Sequence, residues 1–174
     1  MALLSDSTNA KKPGYCASEA ELHAALERMF AEAKGRIIFT SNALILTRIQ
    51  QVLDIAERLN RKVAIVGRSM QNNIEVALSL GYLKLTTGTI ISNVKAKAMP
   101  DNKIIVLTTG AQGEDNAALA RIALDNHKDL QLKKTDTVII SATPIPGNEA
   151  AQNDLISNLT KQGVNVIHHK LFDI

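Results

Sequence analysis

Short, continuous apolar segments alternate along the chain with longer segments of helical period. RIIFTS (36–41), KVAIVG (62–67), KIIVLTT (103–109), TVIIS (137–141) and VNVIHH (164–169) are β-branched and apolar on both faces. That pattern predicts parallel strands covered by helices on each side, because a half-exposed antiparallel strand alternates apolar with polar. Between them, SEAELHAALERMFAEA (18–33) aligns Leu22, Leu26, Met29 and Phe30 on one stripe, and its Ser18-x-x-Glu21 spacing is a capping box. RIQQVLDIAERL (48–59), MQNNIEVALSL (70–80), EDNAALARIALDN (114–126) and NEAAQNDLISNLTKQ (148–162) complete the helices, with Gly81 and Gly163 placed as left-handed C-terminal stops. GYLKLTTGTIISNVKAKAMPDN (81–102) breaks the rhythm and predicts an irregular excursion with a short strand near 89–91. The alternation predicts an α/β fold: an open, doubly wound, mostly parallel sheet with helices on both faces, joined by right-handed crossovers.

In such a sheet all strand C-termini lie along one edge. Four strands run into polar loops there, FTSNALILTR, GRSM, TTGAQGED and SATPIPGNE, so loops far apart in sequence should meet in one crevice. The helix N-termini that follow add free N–H groups and positive dipole ends, which suits an anion. Each loop also has a plainer reading. Arg68 is a bidentate phosphate clamp or a solvated surface charge. Ser69 is placed as the N-cap of the next helix, a role compatible with ligand contact. Gly110 and Gly113 let backbone approach a ligand, and Gln112 could read a sugar or base edge; the alternative is a turn in which Glu114 and Asp115 serve the helix dipole. Pro144 and Pro146 stiffen the last loop, Gly147 permits a tight entry, and Asn148 is placed as an N-cap whose side chain can also face the crevice.

Catalytic constellations are harder to find. TGAQG lacks the Gly-Lys-Ser/Thr ending of a Walker loop, no GxGxxG follows a strand, and no G-x-S-x-G elbow surrounds Ser41, Ser69 or Ser141. His23, His127, His168 and His169 show no metal-ligand spacing, so no metal site is expected within the chain.

Composition sets the remaining bounds. At 174 residues, 45% hydrophobic and 21% charged, one core is the expectation, and a net charge of +3 neither implies nor excludes nucleic acid. Aromatics at 3%, with no Trp, leave few rings for base stacking, so any nucleic acid would be held mainly through its backbone. The single cysteine, Cys16, cannot form an internal disulfide. With no signal-like segment and no apolar run long enough for a membrane, a soluble cytoplasmic setting is expected.

The segments LLSDSTNAKKPGY, VAIVGRSM, LGYL, LTTGAQGE, ALARIA, DTVIISATPIPGNE and LTKQGVNVI, in that order over nearly the whole chain, resemble ribonuclease J, the bacterial β-CASP branch of the metallo-β-lactamase fold. The combination of GRSM, TG-x-QGE and IPGNE carries the likeness. The resemblance implies a β-CASP domain (18–174) preceded by a segment leading in from a metallo-β-lactamase core (1–17). It implies RNA hydrolysis in the full enzyme, endonucleolytic and 5'-to-3' exonucleolytic, with two zinc or manganese ions. RNA, preferably 5'-monophosphorylated, and the metallo-β-lactamase core are the implied partners, and a homo-oligomer is a further expectation.

Residue by residue, the resemblance places Asp6 of DSTN as an acidic accessory to the metal site. It gives RNA- or phosphate-binding roles to Arg68, Ser69, Gly110, Gln112, Gly113, Glu114 and Asn148. Ser41, Asn42 and Arg48 fall in SNALILTRIQQ, which is longer than the family's usual SN-x-HR-x-Q element and lacks its His. Ala111 stands where Ser is usual, and Asp115 where Pro is common. The H-x-H-x-D-H and H-x-S-G-H metal-ligand segments are missing from the chain, which is therefore expected to be inactive alone and to carry no cofactor. The competing expectation is a stand-alone α/β module binding a small anion or nucleotide, distinguished by whether those two segments flank it.

Overall fold

The structure, a computed structural model, describes residues 2–5, 7, 10–11, 13–14 and 18–168. Six strands form one sheet: β1 (Ile37–Thr40), β2 (Lys62–Val66), β3 (Ile90–Ile91), β4 (Ile104–Thr108), β5 (Thr137–Ile140) and β6 (Asn165–His168). Their order is β3-β2-β4-β1-β5-β6, and every neighbouring pair is parallel. The helices are α1 (Glu19–Glu32), α2 (Leu46–Arg58), α3 (Arg68–Ser79), α4 (Asn93–Lys97), α5 (Ala118–Ala123) and α6 (Glu149–Lys161). β1, β4 and β5 are buried throughout, as their two-sided apolar sequences require.

Alternate strand residues divide between two cores. Ile37 and Phe39 pack with α1, α2 and α3, whereas Ile38, one residue between them, packs with α5 and α6. The chain leaves β1 toward β2 and leaves β4 toward β5, passing in opposite directions across adjacent strands. Right-handed crossovers running in opposite directions put their helices on opposite faces, and the loops diverge at the junction of β1 and β4. That divergence opens a crevice at the carboxyl edge. The α/β class, the open parallel sheet and the double winding match the pattern of the sequence.

Local signals behave as their chemistry dictates, with three corrections. Ser18 and Glu21 form the reciprocal capping box, with N–O distances of 2.9 and 3.3 Å, and Gly81 and Gly163 take φ of 74° and 79°. α3 begins at Arg68 with Gly67 at its N-cap, so Ser69 lies inside the first turn and is not the cap. The reason is Gly67 itself, whose φ of 108° turns the chain directly from strand into helix. The helix expected over 114–126 shrinks to α5, because Glu114 and Asn116 take part in turns and Asp125 ends the helix at φ 54°. The excursion contains the expected short strand, β3, but also α4, capped by Ser92 and too short to show a period.

The amino edge of the sheet is closed by paired charge. Arg36 donates from Nε and Nη2 to both oxygens of the fully buried Asp136, at 3.1 and 2.6 Å, and the Lys133 backbone N–H donates to the same carboxylate at 2.8 Å. Arg61, also buried, donates to the carbonyls of Gly35 and Ala33 at 2.9 and 2.5 Å. Among the described residues no helix is long and apolar enough to cross a membrane.

Candidate functional site

The four strand-end loops meet. A cleft of about 600 Å³ is lined by Ser41, Asn42 and Leu44 after β1, by Gly67, Arg68, Ser69 and Asn73 at the start of α3, by residues from Thr109 to Arg121 after β4, and by Ala142 and Ile145 after β5. Parallel strand direction is what assembles it.

Three features make the cleft receptive to anions. Arg68 and Arg121 reach it from opposite walls and are exposed, with Glu114 as an opposing acid. The 12-residue α3 starts there with no side-chain cap and no acidic residue in its first turn, so its first N–H groups and positive dipole end remain available. Ser41, on the lining, is fully buried, and its hydroxyl has no hydrogen-bond partner among the described residues. The hydroxyls of Thr40 and Thr108, side by side in the β1–β4 register, share that condition. A buried hydroxyl left unpaired costs about 1–3 kcal/mol. A bound water or ligand group would relieve it.

Several residues expected to bind also hold loops in place. Gln112 donates from Nε2 to Thr143 O at 3.0 Å and accepts at Oε1 from Ile145 N–H at 2.8 Å. Its amide therefore clamps the β5–α6 loop to the β4–α5 loop, with half its hydrogen-bonding capacity used. Glu114 accepts from the Gln112 N–H at 3.2 Å while remaining on the cleft wall. At Gly110 (φ 109°) an added Cβ would lie 2.8 Å from Ala117 Cβ, and at Gly113 (φ 80°) 2.5 Å from the Ala151 carbonyl. These glycines permit close approach to α5 and α6; Gly110 also lines the cleft, and Gly113 does not.

Arg48, from α2, is turned inward and donates to the Ser141 hydroxyl beneath the loops, away from the lining. Asn42 lines the cleft, and its Oδ1 accepts from the Leu44 N–H at 2.9 Å in a local turn. Asn148 sits at the N-cap of α6 without a side-chain capping bond and outside the cleft lining. Asp6 lies outside the described residues.

Sequence reasoning missed Arg121 and Asn73, each on the cleft-facing side of a helix. It also missed Gln152, which is buried and donates from Nε2 to Ala111 O at 2.7 Å and Ala142 O at 3.3 Å, holding both loops to α6. Its signal was present: Gln152 falls at the inward helical phase shared by Leu155 and Leu159, where a polar residue needs a partner. Among the described residues no group of three or more His, Cys, Asp or Glu could hold a metal ion.

Comparison with known proteins identifies the framework. Residues 34–159 match the family model "Ribonuclease J, beta-CASP domain". The chain belongs to the ribonuclease J β-CASP family. Ribonuclease J of Synechocystis sp. is 44% identical over 170 residues, covering 98% of this chain and 27% of the relative. The Helicobacter pylori protein is 40% identical over 174 residues (100% of this chain, 25% of the relative), and the Thermus thermophilus protein 40% over 172 residues (99% and 30%). The chain thus spans about a quarter to a third of the length of these relatives, and it is a ribonuclease-associated domain. In this β-CASP domain, GRSM supplies the uncapped start of α3 and its arginine, while TG-x-QGE supplies the Gln112 clamp.

Proposed function

We propose that this β-CASP domain binds RNA in its strand-end cleft and positions the strand, with its 5' end, for phosphodiester hydrolysis by a metallo-β-lactamase core of the same enzyme. The observation that carries the reading is the convergence of Arg68, Arg121 and the uncapped α3 N-terminus on one cleft. A terminal phosphate carries more charge than an internal one, so it gains more from a guanidinium beside a helix start. The scarcity of aromatic residues favours recognition through phosphates over base stacking. In this reading Gln112 and Gln152 are positioning residues that hold the wall rigid.

Arg68→Ala is expected to weaken binding of 5'-phosphorylated RNA by about tenfold or more, the loss of one charge-assisted contact, and of 5'-hydroxyl RNA by less. Fluorescence anisotropy with both oligonucleotides makes the comparison, and equal losses would remove Arg68 from the terminal-phosphate role. The metal-activated water belongs to the core in this proposal. The chain alone is accordingly expected to leave a labelled oligonucleotide uncut in zinc or manganese.

A further inference from the structure

The cleft does not end at Arg68. Two cavities of about 430 and 410 Å³ continue from it along the sheet face that carries α4 and α5. The first shares Gly67, Arg68 and Arg121 with the cleft, and the second shares Val66, Asn93, Lys128 and Asp129 with the first. Shared walls make the three a continuous furrow. Its floor is Ala64 and Val66 of β2 with Ile104 and Val106 of β4, and its banks are α4 and the connection between α5 and β5. The furrow is open because α4 has five residues and α5 six, too few to roof both strands.

Charge is distributed unevenly along it. At the far end Arg36 is paired with Asp136 and Lys133 with Asp101, the latter at 2.7 Å. Arg68, Arg121 and Lys128 stand nearer the cleft and Lys97 lines the far cavity, all four exposed, with Asp129 as the opposing acid. None of these four cationic groups has a hydrogen-bond or ion-pair partner among the described residues. His127, on the same wall, registers the excess. Burial pushes its imidazole below the ordinary value, and Arg121, Lys128 and Lys97 push it further down against the opposing pull of Asp129.

We propose that this furrow, from Arg68 past Arg121 and Lys128 to Lys97, is a second binding segment for the phosphodiester backbone of a single-stranded RNA whose neighbouring part occupies the cleft. A file of cations along an open channel fits a repeating anion, whereas a single small phosphate calls for groups converging on one point. The apolar floor presents no base-reading donors or acceptors from its side chains, so the segment should bind without sequence preference. The inference rests on the cleft reading above, and the test separates the two.

Binding of 5'-phosphorylated oligonucleotides of about four and about twelve nucleotides to the whole chain is measured by anisotropy across a salt series, the lengths chosen to fill the cleft alone or the cleft and furrow. The unaltered chain should bind the longer RNA more tightly. The double variant Lys97→Glu with Lys128→Glu should weaken the longer RNA by about tenfold or more and flatten its log–log salt slope by about 1.4, roughly 0.7 for each lost phosphate contact. It should leave the shorter RNA unchanged. Lys97→Gln with Lys128→Gln should give a smaller loss in the same direction, and circular dichroism checks that both variants fold. Equal tightness for the two lengths in the unaltered chain, or a loss in the charge variants that is absent or equal for both lengths, overturns the furrow while leaving the cleft. No binding of either length by the unaltered chain removes the cleft reading and the furrow with it.

Discussion

The two edges of the sheet are built on opposite terms. At the amino edge, the buried Asp136 carboxylate accepts from Arg36 and from the Lys133 backbone, and Arg61 caps two carbonyls. At the carboxyl edge, the hydroxyls of Thr40, Ser41 and Thr108 are buried without partners among the described residues, and α3 starts without a side-chain cap. One edge is satisfied from within the chain. The other holds donors and positive potential in reserve, which lowers stability but leaves something for a ligand to meet.

The contrast breaks most readily at its stable edge. Asp136→Ala leaves the Arg36 guanidinium facing an empty buried site and should cost about 3–5 kcal/mol, read as a fall in the urea midpoint. A change below about 1 kcal/mol would show that the pair does not hold the edge. Next is Gly113→Ala, which forces a Cβ against the Ala151 carbonyl at positive φ and should cost about 1–3 kcal/mol in the same assay. Thr108→Val should move stability the other way, by up to about 1 kcal/mol, because it removes a buried hydroxyl that lacks a partner. Destabilisation by Thr108→Val would mean that the hydroxyl is already satisfied by water.

The smallest expected effect is a pH dependence at His127. Its folded-state pKa lies below the ordinary 6.5 through burial and the neighbouring Arg121, Lys128 and Lys97, with Asp129 opposing. As pH falls below 6.5, the unfolded chain takes up a proton that the folded chain refuses, so stability declines until the lower folded pKa is passed. His127→Gln should flatten that part of the stability profile between neutral and mildly acid pH, and an unchanged slope would exonerate His127.

What the sequence made legible, and what it did not, follows from range of interaction. The strands were visible because burial on both faces leaves segments such as 37–39 and 104–107 wholly apolar. The crevice followed from parallel direction alone. The start of α3 was misplaced because Ser69 is a good cap in the abstract, whereas Gly67 makes the turn two residues earlier. Gln112 and Arg48 could not be assigned from pattern, since their partners are a carbonyl, an amide or a hydroxyl contributed by loops 31 to 93 positions away; the pattern gave the inward phase of Gln152 but not its partners, the carbonyls of Ala111 and Ala142. Arg121 escaped notice because α5, at six residues, shows too little period to say which way an exposed arginine points.

The Gln112 amide has one further consequence. Because this side chain staples the loop after β4 to the loop after β5, and Gln152 holds both to α6, those two banks are tied into one body. The entropy lost when a guest stills one of them is not lost again on the other. The bank at the head of α3, where Arg68 stands, lies outside that staple.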